Sequence, residues 1–145
     1  MDDTAVRLHL YREFVDSGRA PSAARLAGIL HAPVDQVRTS LERLASGKVI
    51  VLQPESRELM IAAPLCALPT PYRVHAGPRS YFGACIWDAL GIMAMLPGDA
   101  TLETSCPCCG EGMALEVLGG QLLPAPGVIH FGVPARRWWE NIVFS

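Results

Sequence analysis

Near residue 47 the hydrophobic period of the chain changes, and few folds accommodate that change. Before it, apolar residues recur with helical spacing. Val6, Leu10 and Phe14, flanked by Leu8, Tyr11 and Val15, make a broad stripe that Gly18 closes. Ser22 is placed to cap a second, shorter helix carrying Leu26, Ala27, Ile29 and Leu30. Pro33 opens a third as its first residue, with Val34, Val37, Leu41 and Leu44 on one face before Gly47. After it the pattern is extended: Lys48 to Leu52 is a β-branched run, Pro54 to Arg57 a turn, and Glu58 to Ala62 a returning strand. Three helices and a two-stranded ribbon over residues 1–62 have the order of a winged helix, whose third helix would turn Gln36, Arg38, Thr39 and Arg43 toward a DNA groove. Asp35 and Glu42 lie beside those arginines, so the basicity is slight and packing against the rest of the chain is the stronger reading.

Residues 63–80 hold Pro64, Pro69, Pro71, Pro78 and Gly77, which predicts a linker or an irregular cover. Residues 81–145 then read as a second unit. An apolar helix runs from about Gly83 to Leu96, and strands are expected around Ala100–Thr104, Met113–Leu118, Gln121–Leu123 and Val128–Val133. Leu118-Gly119-Gly120-Gln121 suits a hairpin turn. The predicted class is α+β: a winged-helix-like module with its hairpin, then a small mixed helix and antiparallel-sheet domain.

Composition narrows the function classes. Half of the 145 residues are apolar and 18% are charged, which excludes a disordered chain. A net charge of -2 supplies no field to recruit nucleic acid or an anionic membrane. Every apolar run is broken short of a membrane span, and acids at Asp2 and Asp3 stand where a signal peptide carries cations, so a cytoplasmic protein is expected. Of five cysteines, Cys106, Cys108 and Cys109 are packed around Pro107, an arrangement that favours soft-metal or thiolate chemistry over a disulfide framework.

Cys85 and Asp88 lie three apart at the start of the apolar helix, where side chains at i and i+3 share a face. A thiol near a helix N-terminus ionises more readily, whereas burial and a neighbouring negative charge raise a carboxyl pKa. The expected state is a thiolate beside a neutral acid, a soft nucleophile next to a proton donor. The plainer alternative is an Asp that only meets the helix dipole. Met93 and Met95 read as core, and so do Trp138 and Trp139, although Arg136 and Arg137 beside them also invite a nucleic-acid reading.

Four stretches together resemble the alkylmercury (organomercurial) lyase family: Leu26-Ala27-Gly28-Ile29-Leu30, Cys85-Ile86-Trp87-Asp88-Ala89-Leu90, Val128-Ile129-His130-Phe131 and Trp138-Trp139-Glu140-Asn141-Ile142-Val143-Phe144. The resemblance implies protonolysis of a carbon–mercury bond in an organomercurial substrate, leaving a hydrocarbon and Hg(II). Cys85 would hold the mercury, and Asp88 would deliver the proton and help retain the ion. No cofactor is implied beyond Hg(II) as product or bound ion, and a mercuric reductase is the implied receiver. The family pairs the aspartate with two cysteines. The second is expected just beyond the segment ending at Ser145, so the sequence is truncated, the thiol is lost, or one of Cys106, Cys108 and Cys109 replaces it. That cluster is half a zinc knuckle that His75 or His130 would have to complete, and it is a better acceptor for mercury from Cys85. The alternative is a non-catalytic thiol-metal binding protein or a winged-helix metal-responsive transcriptional regulator.

Overall fold

The computed structural model describes residues 1–142; Val143, Phe144 and Ser145, at the end of the tryptophan-rich segment, lie outside the described residues. Helix α1 (Asp3–Ser17) starts where the Asp2 carboxylate accepts the Thr4 N–H at 3.0 Å and ends at Gly18, whose φ of 72° places it in the left-handed region. Helix α2 (Ala23–Leu30) is capped by Ser22, which accepts the Arg25 N–H at 3.1 Å. Helix α3 (Val34–Ser46) begins one residue later than expected, with Pro33 as its N-cap. Val6, Leu10 and Phe14 of α1, Leu26 of α2, and Val37 and Leu41 of α3 are all buried. Each fully buried side chain of this size contributes roughly 1.5–3 kcal/mol.

The groove-facing set on α3 is partly committed within the chain. Arg43 pairs with Asp3, with Nε 2.9 Å from Oδ2, and Asp3 also accepts the buried Ser40 hydroxyl at 2.6 Å. The hydrogen bonds from Arg43 and Ser40 hold the Asp3 carboxyl down at about 2. Thr39 donates to the Asp35 carbonyl at 2.8 Å, and all four of Gln36, Arg38, Thr39 and Arg43 are exposed.

All the strands among the described residues belong to one antiparallel sheet of eight, in the order β1-β2-β3-β5-β4-β6-β7-β8. They are β1 (Val51–Leu52), β2 (Leu59–Ala62), β3 (Leu65–Cys66), β4 (Arg73–Ala76), β5 (Arg79–Gly83), β6 (Ala100–Ser105), β7 (Gly112–Leu118) and β8 (Gln121–Leu122). The fold is α+β. Residues 63–80 differ from the expected irregular cover, since β3, β4 and the start of β5 lie there and hydrogen bonding runs through them without a break. Their prolines occupy the turns: Pro64 follows β2, Pro69 and Pro71 precede β4, and Pro78 follows Gly77 (φ 56°) between β4 and β5. A single hydrophobic cluster joins Leu10, Leu26 and Val37 to Leu65, Val74, Tyr81, Ile92 and Leu102. Two phenols stitch α1 to the sheet and its turns: Tyr81 donates to the Val15 carbonyl at 2.7 Å and Tyr11 to that of Ala63 at 2.9 Å.

Helix α4 (Ile86–Met95) crosses the sheet on Ala89, Ile92 and Met93. It is not buried all round, for Trp87 is 61% and Met95 42% exposed on its outer face. The segment Val128–Val133, expected as a strand, pairs with nothing among the described residues. Pro124, Pro126 and Pro134 lack the N–H groups a ladder needs, and Val128 is 92% exposed. The chain continues there as a cover that ends in a short 3₁₀ helix, Ala135–Glu140. Among the described residues no helix is long and apolar enough to cross a membrane.

Candidate active site

Strand β5 delivers the chain to the site through Gly83. A Cβ at that position would stand 2.6 Å from the Ala89 nitrogen and 3.0 Å from the Cys85 carbonyl oxygen, so only glycine lets the start of α4 sit this close to the sheet. Its own N–H donates to the Tyr72 carbonyl at 3.0 Å and its carbonyl accepts the Thr70 hydroxyl at 2.6 Å, which pins the turn.

Two residues on, Cys85 is the N-cap of α4, extended at φ -143° and ψ 178°, rather than a residue of the first helical turn. Asp88 stands at the third helical position, from which an acid reaches back to the cap as in a capping box. The backbone N–H groups of Ala84 and Cys85 and the Cys85 thiol lie close enough to its carboxylate to draw its pKa down. The two side chains therefore meet, as the spacing of three predicts.

Their charge states depart from expectation in one respect. Burial lifts the Asp88 carboxyl above its ordinary 3.8, and the thiol and N–H groups only partly offset this. Burial likewise pushes the Cys85 thiol above 9.0, with the Asp88 charge adding to the effect, although the N–H groups of Asp88 and Trp87 oppose it. The expected readily ionised sulfur is therefore corrected: desolvation outweighs the helix terminus, and the resting pair is a thiol beside a carboxyl of raised pKa.

Cys85 and Asp88 open into a cavity of about 210 Å³. Val51 of β1 and Ile61 of β2 form one wall, with Ala63 beyond them. Sequence reasoning did not place these residues at the site. Their β-branched, extended pattern marked a hairpin, but only the tertiary fold brings it to α4. Phe131, Trp138 and Trp139 cover the other side. The Phe131 and Trp138 rings lie 5.2 Å apart, and the Trp138 indole donates to the Val133 carbonyl at 2.8 Å. The tryptophans thus line a cavity instead of filling the core, and Trp139 is 45% exposed with the Lys48 ammonium 5.7 Å above its ring. Arg137 is bound to Glu140 at 2.9 Å.

The other cysteines lie outside this cavity lining. Cys66 is buried with Met60 and Ile61, and its thiol is raised by burial. Cys106, Cys108 and Cys109 occupy the turn between β6 and β7, where Cys106 is half-buried and the other two are exposed. The N–H groups of Cys109 and Cys108 face the Cys106 sulfur and lower its pKa below 9.0. His75 is held on β4 by Glu103 at 3.1 Å and Ser80 at 3.0 Å, and His130 is exposed. Among the described residues no group of three or more His, Cys, Asp or Glu side chains is arranged to hold a metal ion, so the zinc knuckle is not completed within them.

Comparison with known proteins matches residues 65–144 to the alkylmercury lyase family, MerB. No curated protein matches the chain. Among solved structures, the crystal structure of the mercury-bound form of MerB2 superposes with a TM-score of 0.68 at 22% identity, covering 84% of this chain. The alignment spans 58% of that protein. The family match takes in β3, the Gly83 turn, Cys85, Asp88 and the aromatic cover, over half of the sequence, and so this chain belongs to the alkylmercury lyase family.

Proposed function

We propose that the protein cleaves the carbon–mercury bond of small organomercurials by protonolysis, yielding a hydrocarbon and Hg(II). The observation that carries this reading is the meeting of a thiol and a carboxyl of raised pKa in one apolar cavity at the N-terminus of α4. The organic group lies against Val51, Ile61 and the tryptophans, which exclude water. Cys85 exchanges with the thiolate that the organomercurial carries: its sulfur bonds to mercury, and its proton leaves on the displaced small thiol. A soft thiolate on mercury pushes electron density toward the bound carbon. Asp88 in its acid form gives that carbon a proton as the carbon–mercury bond breaks, with the bonding pair ending in the new carbon–hydrogen bond. The remaining Asp88 carboxylate faces the Ala84 and Cys85 N–H groups and the mercury.

In this reading residues 1–62 form the cavity wall rather than a DNA reader, and no cofactor is required. Cytoplasmic small thiols regenerate Cys85, and a mercuric reductase receives the metal.

Phenylmercury with excess small thiol tests the proposal. The protein releases benzene, and Cys85→Ser lowers the release by roughly three orders of magnitude or more. Benzene formed equally fast by that variant overturns the mechanism. One observation favours a second reading, a thiol-metal binding protein without turnover: Cys85 is the one cysteine lining the cavity among the described residues. Mercury retained with no benzene is the result that selects it.

A further inference from the structure

The mechanism leaves the cysteine turn between β6 and β7 unused. Sheet register fixes where this turn stands. Phe82 of β5 pairs with Arg73 of β4, and Arg73 pairs with Glu103 of β6. Cys85 lies three residues beyond Phe82 and Cys106 three beyond Glu103, both strands running the same way. The two cysteines therefore follow the same end of the sheet, on strands that stand two spacings, or about 10 Å, apart.

The turn itself is built around sulfur. The Cys106 N–H donates to the Glu111 carbonyl at 2.8 Å, and the Gly110 N–H donates to the Cys106 carbonyl at 2.8 Å with Gly110 at φ 75°. The chain between them curls so that the N–H groups of Cys108 and Cys109 and the Cys109 thiol all face the Cys106 sulfur. Cys108 contributes its backbone, and its own side chain is exposed. Two sulfurs on one turn satisfy a two-coordinate soft ion but leave tetrahedral zinc two ligands short, and no third ligand joins them among the described residues.

We infer that Cys106 and Cys109 form a second mercury site, which takes Hg(II) from Cys85 by thiol exchange and frees Cys85 for another turnover. This rests on the proposed chemistry at Cys85 for its supply of metal, but the site itself binds inorganic Hg(II). After cleavage the mercury on Cys85 takes one small thiol as its second ligand, and that thiol's proton passes to the Asp88 carboxylate. Exchange forms Hg–S bonds to Cys106 and Cys109 and breaks the two existing ones. The protons of the two incoming thiols pass to Cys85 and the small thiol, and no sulfur is oxidised or reduced. The pair prevails because its second sulfur is already tethered beside the first, whereas Cys85 must recruit its second ligand from solution.

The test uses mercuric chloride with excess glutathione, so it does not depend on carbon–mercury cleavage. One equivalent is added to the full chain, which is then alkylated with iodoacetamide and mapped against mercury-free protein. Alkylation of Cys106 and Cys109 falls at least tenfold, while that of Cys85 is unchanged. In a Cys85→Ser background the chain still retains one mercury through desalting. Adding Cys106→Ser and Cys109→Ser lowers that retention at least tenfold, and adding Cys108→Ser instead does not. Protection of Cys85 with free alkylation of Cys106 and Cys109, or undiminished retention when both are replaced, overturns the inference.

Discussion

Cys85 and Cys106 leave the same end of one sheet, each just past a strand, and the fold gives them opposite characters. Cys85 faces an apolar cavity with an acid as neighbour, and burial keeps its proton on. Cys106 sits on an exposed turn whose N–H groups pull its proton off. Both sulfurs have backbone N–H groups turned toward them, so donors alone do not set the difference. Desolvation does, and it suits each to a different task. A sheltered thiol admits a greasy organomercurial and keeps water from the acid beside it, while a half-buried Cys106 with exposed Cys109 on the same turn meets small-thiol carriers and passes metal on.

The largest effect that probes this contrast is at the acid. Asp88→Asn leaves the Cys85 sulfur in place but removes the proton donor, so benzene release from phenylmercury falls by roughly 10²- to 10⁴-fold while one phenylmercury per chain is still bound. Gas chromatography and mercury analysis of the desalted protein read the two halves separately. Next comes the turn that seats Cys85. Gly83→Ala drives a Cβ into the backbone of α4 and destabilises the chain by roughly 1–3 kcal/mol in urea unfolding, with a slower lyase rate and an unaltered Cys106 environment.

The two thiols also differ in charge state. In alkylation rates followed against pH, Cys106 inflects below 9.0 and Cys85 above it; the reverse order breaks the contrast. The raised Asp88 carboxyl also enters stability. As pH rises past 3.8 the unfolded chain loses this proton before the folded one does, so folding weakens until the folded group ionises as well. Asp88→Asn is therefore more stable than the parent at neutral pH, and the advantage fades as pH falls to 3.8. The smallest effect is at half-buried Asp3. Its lowered pKa supports the fold above 3.8, and that support is lost as pH falls through about 2, so Arg43→Ala weakens the chain at pH 7 and much less at pH 2.

The parts of this molecule legible in the sequence are those governed by short spacings. Val6, Leu10 and Phe14 announced α1, Ser22 announced the start of α2, and the strand-like stretches Ala100–Thr104 and Met113–Leu118 announced β6 and β7. The meeting of Cys85 and Asp88 was legible for the same reason, three residues apart across the start of one helix. What depended on distant partners was not. The prolines of residues 63–80 look like a linker until their short strands find β2, β5 and β6 to pair with. Val128–Val133 has a strand-like composition but joins no strand of the sheet among the described residues. The Cys85 pKa was misjudged because burial under Phe131 and Trp138 is a tertiary fact, whereas the helix terminus is a local one.

The central claim is that Asp88, acting as an acid, protonates a carbon held through mercury on Cys85. Its most direct test is a single turnover: phenylmercury is loaded at one equivalent, small thiol is withheld, and the rate of benzene formation is followed against pH. The expected rate declines as pH rises through the elevated Asp88 range, and Asp88→Asn is slow and insensitive to pH. A variant that forms benzene as fast as the parent, with the same pH profile, contradicts it.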